Sequence, residues 1–460
     1  MSSSLLNRPL ADLPDACEVL VVGAGPAGSA AARTLALAGF DVVLVDAQAF
    51  PRDKVCGDGL IPDAHHAMRK LGVLDEVMSL AHRVKHVGVV GPRGHRIDVP
   101  GSVAVLPRRE LDHVLCRAAA AAGARMFAPL RFVAPIEAER GAEKHVVGAR
   151  LQAGAQVREL KAAWVLIASG AVPQALQAAG MCTRRTPSGI ALRGYVKNHA
   201  MTKRITALDV VWHRRLKPGY GWIFPCPDGV FNIGVGVAHS HSKGRDGRHT
   251  MQDINLRDMF QAFTELYPPA RDLVAGGDWS GELKGAPLRC SLDGAVRSRP
   301  GLIVTGEAAG STYAFTGEGI GKAMETGILA AEAIIQGRSQ RRSDAQVRST
   351  YAFTGEGIGK AMETGILAAE ALIEGRSRQH PEAQVRNRYE EWLVALKPRF
   401  DMYEKANTVN AHPWLVDLLV WSAKRSPSRL QRMSGVLEET HIPSSLISVK
   451  SWLRLVFVHR

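Results

Sequence analysis

Cysteine is scarce in this 460-residue sequence: Cys17, Cys56, Cys116, Cys182, Cys226 and Cys290 lie far apart, and no C-x-x-C pair occurs. That spacing excludes a disulfide framework and a cysteine zinc site, and it fits a reducing compartment. Aromatic residues make up only 6% of the chain, and no basic run is interleaved with them, so nucleic acid is not an expected partner. No apolar run reaches membrane-spanning length, and Met1 to Asp15 has no signal-peptide core. A cytoplasmic protein is therefore expected. The absence of G-x-S-x-G removes the nucleophile elbow of a hydrolase. Histidines do not gather: His65 and His66 point apart on a predicted helix, and His239, His241 and His249 sit in a polar loop. No metal site is expected.

What is present describes a folded protein of two or three domains, with 46% hydrophobic and 22% charged residues. Lys+Arg 58 against Asp+Glu 44 gives a net charge of +14. Such a surface suits an anionic membrane face or an acidic substrate such as a diphosphate.

The chain is organised around Val19-Leu20-Val21-Val22-Gly23-Ala24-Gly25-Pro26-Ala27-Gly28. A buried parallel strand runs into G-x-G-x-x-G and an Ala-rich helix. Gly23 permits the tight turn, Gly25 lets backbone approach a pyrophosphate, and Gly28 lets helix and strand pack closely. Ser29 to Leu37 continues as the helix, whose N-terminus attracts the anion, and Pro26 and Ala27 of the turn are expected beside the cofactor. A second strand, Asp41 to Val45, ends in Asp46, placed to bind ribose hydroxyls. Strand, glycines, helix, strand and acid in this order predict a dinucleotide site.

Lys54-Val55-Cys56-Gly57-Asp58-Gly59-Leu60 follows, either a loop facing the cofactor or ordinary turn chemistry. Val84 to Val99 reads as a hairpin, and a helix then opens at Arg108, with Leu111, Val114, Leu115 and Ala118 on one face. Arg108 either reaches a phosphate or ribityl chain or is a solvated basic end. Trp164 to Ile167 predicts a third strand of the dinucleotide domain, and strands dominate from about 185 to 283. There, Tyr220, Trp222 and Phe224 alternate onto one face of a strand, forming a pocket wall or a plain core cluster.

A second ligand-facing turn comes with Leu302-Ile303-Val304, Gly306-Glu307-Ala308-Ala309-Gly310 and a helix start at Gly317-Glu318-Gly319-Ile320. Two such turns suit a long ligand such as FAD, the first holding its ADP half and the second its ribityl chain and flavin ring. Ser311–Arg348 then recurs as Ser349–Arg386, with seven differences in 38 positions. Both copies carry the glycine-rich helix start, so they compete for one site, and the first lies next to Gly306–Gly310. Gly317, Gly319 and Ile320 of the first copy are expected to hold it. At the end, Leu446 to Arg460 is either an interfacial amphipathic anchor or a helix closing the substrate domain.

Together these segments resemble the geranylgeranyl reductase family of FAD-dependent oxidoreductases. The resemblance spans Val19 to Ile335 plus the C-terminal helices. It rests on Gly23–Gly28 with Asp46, Lys54–Leu60, Arg108 with Leu111-Asp112, Tyr220–Pro225, Gly306–Gly310 and Thr316–Ile320. It implies a fold like that of p-hydroxybenzoate hydroxylase: an α/β Rossmann-like FAD-binding domain with an inserted sheet-rich substrate domain and a C-terminal helical region. The FAD-binding domain is expected over 15–82, 106–184 and 286–386, the last holding the repeats 311–348 and 349–386. A hairpin at 83–105 and residues 185–285 are expected to form the substrate domain, and 387–460 the helical region.

The resemblance further implies reduction of isoprenoid double bonds on a lipid, quinone or chlorophyll precursor, with NADPH or another reductant as donor. The Tyr-x-Trp-x-Phe-Pro segment would line the substrate cavity and Cys56-Gly57 would lie by the flavin. Tyr220 and Trp222 would stabilise cationic character on the alkene, and Cys56 and Asp58 are, by position, the proton donors to consider. Two positions depart from the wider group: Glu307 stands for the usual Asp, and Ser169-Gly170 for the Asp-Gly of flavin hydroxylases. The rival enzyme reading is a flavin monooxygenase or halogenase on the same fold. A flavin-binding protein without turnover is the non-enzyme reading.

Overall fold

The computed structural model describes residues 5–140, 143–184, 186–238, 254–346 and 381–438. The chain opens with β1 (Ala16–Val22), α1 (Pro26–Leu37) and β2 (Val42–Val45), then a loop that ends in the two-residue strand β3 (Gly59–Leu60). Helices α2 (Pro62–Lys70) and α3 (Leu74–Leu80) lead to the hairpin β4 (His82–Val90) and β5 (Arg96–Val105). Next come α4 (Arg108–Ala121), β6 (Arg125–Phe127), β7 (Arg131–Arg140), β8 (Glu143–Ala153) and β9 (Gln156–Ile167).

In the first sheet β1 lies between β2 and β9, parallel to both, and β6 and β17 (numbered in the order given below) extend it. The sequence decides its faces. Alternation sends Val19 and Val21 into a layer with Ala31 and Leu35 of α1, and Leu20 and Val22 to the opposite face with Leu151 and Phe132. Helices thus cover one face, while β7 and β8, an antiparallel ribbon continuing from β9, cover the other. The sequence reading did not anticipate that ribbon.

The second half begins with α5 (Gln174–Ala178), β10 (Gly189–Lys197), β11 (Leu208–Val211), β12 (Gly219–Pro225) and β13 (Val230–Ala238). It continues through α6 (Leu256–Leu266), α7 (Pro268–Ala275), β14 (Asp278–Trp279), β15 (Lys284–Leu288), β16 (Ser298–Arg299) and β17 (Leu302–Val304). The second sheet runs β14-β10-β13-β12-β11-β4-β5-β3, with β15 beside β10, so the hairpin at 82–105 and strands β10 to β15 share one sheet. One face packs on α6 and α7 through Phe260, Phe263 and Leu273. These helices lie inside the stretch expected to be sheet-rich. The other face carries Trp212, Tyr220 and Trp222.

Helix α8 (Ile320–Gln346) follows the Gly306–Gly310 turn directly, so the first copy of the repeat supplies it. A Cβ at Gly327 would stand 2.2 Å from the Ala27 carbonyl oxygen, so α1 and α8 touch backbone to backbone there. Residues 347–380, most of the second copy, lie outside the described residues, as do His239, His241, His249 and the expected anchor at 446–460. The C-terminal helices divide their allegiance. In α9 (Pro381–Ala406), Val385, Tyr389 and Leu393 join the core of the first sheet. After α10 (Thr408–Ala411), α11 (Trp414–Arg425) and α12 (Pro427–Leu437) pack on the second, Val416 and Val420 meeting Ile97 and Val99. Among the described residues, no helix is long and apolar enough to cross a membrane.

Candidate functional site

Between the two sheets runs one continuous cavity of about 760 Å³, within the range of small-molecule sites. At one end stands the N-terminus of α1. Gly23 adopts φ +101°, closed to side chains, and a Cβ at Gly28 would fall 1.8 Å from the Gly23 carbonyl oxygen. Both glycines are thus required by the turn itself. Gly25 differs: a Cβ there would meet only the guanidinium ends of Arg108 at 3.6 Å and Arg52 at 3.8 Å. A helix N-terminus flanked by two guanidinium groups is a strong anion cradle.

These arginines are held by acids behind them. Arg108 is buried, and its Nε and Nη2 reach the two oxygens of Asp112 at 2.7 and 2.8 Å. Burial works against the Arg108 charge, but the Asp112 pairing holds the guanidinium above its ordinary range. The solvated-end alternative is thereby corrected. Arg52 spans Asp112 at 3.0 Å and Asp46 at 3.2 Å. Asp46 also accepts from the Ala24 and Gln48 amides at 2.9 and 3.0 Å, so it sits at the mouth of the glycine turn, as the strand-end acid should.

The loop after β2 forms the middle of the cavity. Gly57 lies under the Phe224 ring, which a Cβ would approach to 3.3 Å, with Trp222 Nε1 at 3.8 Å. Cys56 borders the cavity beside Arg108; burial pushes its thiol up, so it keeps its proton at neutral pH. Asp58 is fully buried, and its oxygens accept from Tyr195 Oη at 2.5 Å, Asn232 Nδ2 at 2.8 Å and the Arg108 amide at 3.2 Å. Burial pushes its carboxyl up to about 6, against those hydrogen bonds. Asp58 borders the cavity and also ties the loop to β10, β13 and α4.

The second turn closes the site from the other side. Gly306 and Gly310 take φ +67° and +89°, and side chains there would strike Ala27 and the Ser291 carbonyl oxygen, so both shape the turn without bordering the cavity. Gly28 is likewise behind the surface. Glu307 does face the cavity, its Oε1 accepting from the Arg289 amide and Thr312 Oγ1, both at 3.4 Å. Gly317, Gly319 and Ile320 line it at the start of α8. Gly319 leaves no room for a side chain beside Thr312 Oγ1, and Gly317 has φ +70°.

Tyr220 and Trp222 project from β12 toward this turn, ring centroids 6.2 Å apart, with Phe224 a further 6.3 Å along. Tyr220 Oη donates to the Thr316 carbonyl at 2.5 Å and Trp222 Nε1 to Asn232 Oδ1 at 2.9 Å. Beyond them the cavity becomes apolar, walled by Trp212, Phe315, Val409, Val416, Leu419, Met433 and Leu437.

The residues present fit FAD. Besides the arginine cradle, Ser169 Oγ and Thr316 Oγ1 are buried cavity-lining polar atoms with no hydrogen-bond partner among the described residues. Sequence reasoning missed Arg52, Arg193, Tyr195 and Asn232. Arg193, buried in β10, grips the loop through Asp53 at 2.8 Å and the Lys54 carbonyl at 3.3 Å. An asparagine inside Val230-Phe231-Asn232-Ile233 was the available signal, since a buried strand rarely carries one without a partner.

Comparison with known proteins agrees with this geometry. The model of the family described as FAD binding domain matches residues 16–250. The menaquinone reductase of Mycolicibacterium smegmatis is 34% identical over 336 residues, covering 70% of this chain and 76% of that protein. The digeranylgeranylglycerophospholipid reductase of Methanosarcina mazei is 29% identical, covering 70% and 75%. Among solved structures, a geranylgeranyl bacteriochlorophyll reductase-like protein from Thermoplasma acidophilum has a TM-score of 0.67 at 21% identity, covering 96% of this chain and 95% of that one. A myxobacterial chondrochloren halogenase shares the fold at a TM-score of 0.58 and 19% identity, covering 82% and 96%. The glycine turns, the arginine cradle, the aromatic wall and these relatives lead to one conclusion: this chain belongs to the geranylgeranyl reductase family of FAD-dependent oxidoreductases.

Proposed function

We propose that this protein reduces carbon–carbon double bonds in the isoprenoid chain of a lipid or quinone, with NADPH or a comparable reductant as the ultimate donor. One observation carries the reading. The cavity that begins at the dinucleotide turns continues, past Tyr220 and Trp222, into a limb walled by aromatic and aliphatic side chains. A long hydrocarbon fits such a limb, and a charged substrate would lose its hydration there without compensation.

Reduced FAD, when bound, supplies a hydride. The remaining requirements fall on the protein. An isolated alkene is not electrophilic, so a proton must reach one carbon as the hydride reaches the other. Tyr220 and Trp222 present π faces that favour cationic character on the more substituted carbon. Their surroundings exclude water that would otherwise capture it. Cys56 holds a proton at Sγ on the cavity side of the loop, and the neighbouring Arg108 guanidinium would stabilise the thiolate left behind. Asp58, saturated by its donors, orients that loop.

The test is a half-reaction. The FAD-loaded protein is reduced under anaerobic conditions and mixed with a geranylgeranyl lipid or a menaquinone. Reoxidation of the flavin together with a product whose isoprenoid chain, and not its quinone ring, has gained two hydrogens is expected. Oxygen uptake driven by substrate, with a hydroxylated or halogenated product, would overturn the reading in favour of a monooxygenase or halogenase. A flavin that no polyprenyl compound reoxidises would overturn it in favour of a binding protein.

A further inference from the structure

Helix α11 has two faces of different character. Val416, Val420 and Ala423 are buried against the second sheet. The opposite stripe carries Trp414, Leu418, Trp421 and Arg425, spaced i, i+4, i+7 and i+11, so they line up along one side. Trp414 is 57% exposed and Trp421 43%. Two indoles held in water on one stripe cost solvation that a globular surface normally avoids.

Charge gathers at the same place. Lys424 and Arg425 end α11, and Arg429 and Arg432 follow on α12, with Arg425 stacked over the Trp421 ring at 4.2 Å. From Trp414 to Leu437 the sole acid is Asp417, which is buried and turned toward Arg93 at the tip of the β4–β5 hairpin. Arg93 itself adds a further exposed cation beside these helices. Glu438, just after α12, accepts from the Ser102 amide at 3.0 Å. Indoles with flanking cations complement an anionic lipid interface.

We propose that the α11–α12 face docks this protein on an anionic bilayer. The same two helices line the apolar limb of the cavity from within, through Val416, Leu419, Met433 and Leu437. One helix layer therefore separates the docking face from the hydrocarbon-binding space. A prenyl chain passing between bilayer and cavity need not cross open water. The proposal rests on the lipid-substrate reading for its purpose, while its test is read without turnover.

The FAD-loaded full chain is mixed with sedimentable vesicles of phosphatidylcholine alone or with phosphatidylglycerol added. Binding to the anionic vesicles, weakened by salt, is expected, with little binding to the neutral ones. Trp414→Ala with Trp421→Ala, and separately Arg425→Gln with Arg432→Gln, should each lower the partition constant by roughly tenfold or more. Flavin content and the far-ultraviolet circular dichroism of both variants should match the parent. Failure of the parent to bind anionic vesicles overturns the proposal. So do variants that bind as the parent does, which would assign docking to another segment such as residues 439–460. A parent dimer that these substitutions convert to monomer would also overturn it, naming a second copy as the occupant. Loss of vesicle binding with intact reduction of a detergent-dispersed substrate would leave the functional reading standing; the reverse result would leave the docking face standing.

Discussion

The indole Nε1 of Trp222 donates to Oδ1 of Asn232 across 2.9 Å, and through this contact the aromatic wall is joined to the cofactor loop. The same amide gives its Nδ2 hydrogens to the Cys56 carbonyl at 2.7 Å and to Asp58 at 2.8 Å. Asn232→Leu keeps the volume but orphans a buried indole N–H and a carbonyl. It should cost on the order of 2–3 kcal/mol in urea unfolding and weaken retention of FAD. A variant as stable as the parent would show that water replaces the amide.

Asp58 makes stability depend on pH in a specific sense. Burial raises its carboxyl from an ordinary 3.8 to about 6, so the fold favours the protonated form more than the unfolded chain does. Its contribution is then fully present below about pH 4 and is lost as pH rises through about 6. The unfolding free energy of the parent minus that of Asp58→Asn should accordingly fall between pH 4 and pH 6 and level off above. A difference that rises over this window would contradict the assignment.

Gly25 and Gly28 separate cofactor binding from folding. Gly28→Ala drives a methyl into the Gly23 carbonyl oxygen, so the turn must open and the melting temperature should drop by several degrees. Gly25→Ala meets only two flexible guanidinium ends, so the apoprotein should melt near the parent temperature. If the pyrophosphate rests on that helix start, the same methyl blocks it, and the purified variant should carry little flavin. A yellow Gly25→Ala protein would move the anion elsewhere.

Among the described residues, the site draws on the first copy of the repeat, so removal of one 38-residue unit is a direct test. Helix α8 uses the head of the first copy, and Pro381 to Arg386, the tail of the second, open α9. Removing 343–380 takes out one 38-residue unit and joins Arg342 to Pro381. Gly337 packs against Val385, and five residues before the junction plus four after it remain to span between them, enough for a helix–helix turn. The shortened chain should purify with a full complement of flavin and an unchanged absorption spectrum. A colourless shortened protein would show that the repeat is needed.

The first βαβ unit was legible because its parts are contiguous: strand, glycines and helix act on neighbours within ten residues, and Asp46 lies at the next strand end. The aromatic alternation in β12 was legible for the same reason. The hub at Asp58 was not, since Tyr195, Asn232 and Arg108 reach it only after register aligns β10 with β13 and α4 arrives from another segment. Asp58 borders the cavity beside the Cys-Gly turn, and with φ of +64° it is also buried among these partners. Helices α6 and α7 left a local trace. Asn255 caps α6 by accepting from Arg257 and Asp258, and Met259, Phe260 and Phe263 follow at helical spacing. The surrounding β-rich pattern masked it.

The two-residue strand β3 pairs Gly59 with Val105 and Leu60 with Ala104, only a few residues past Cys56. One wall of the crevice is thereby sewn to the substrate sheet by main-chain bonds and cannot swing away without tearing that seam. The helical wall is fastened differently, by side-chain clasps such as Asp417 to the Arg93 amide, Glu438 to the Ser102 amide and Asn410 to Trp212. Clasps of that kind release at far lower cost than a ladder. Any opening of the crevice is therefore expected on the helical side, with the wall at β3 held in place.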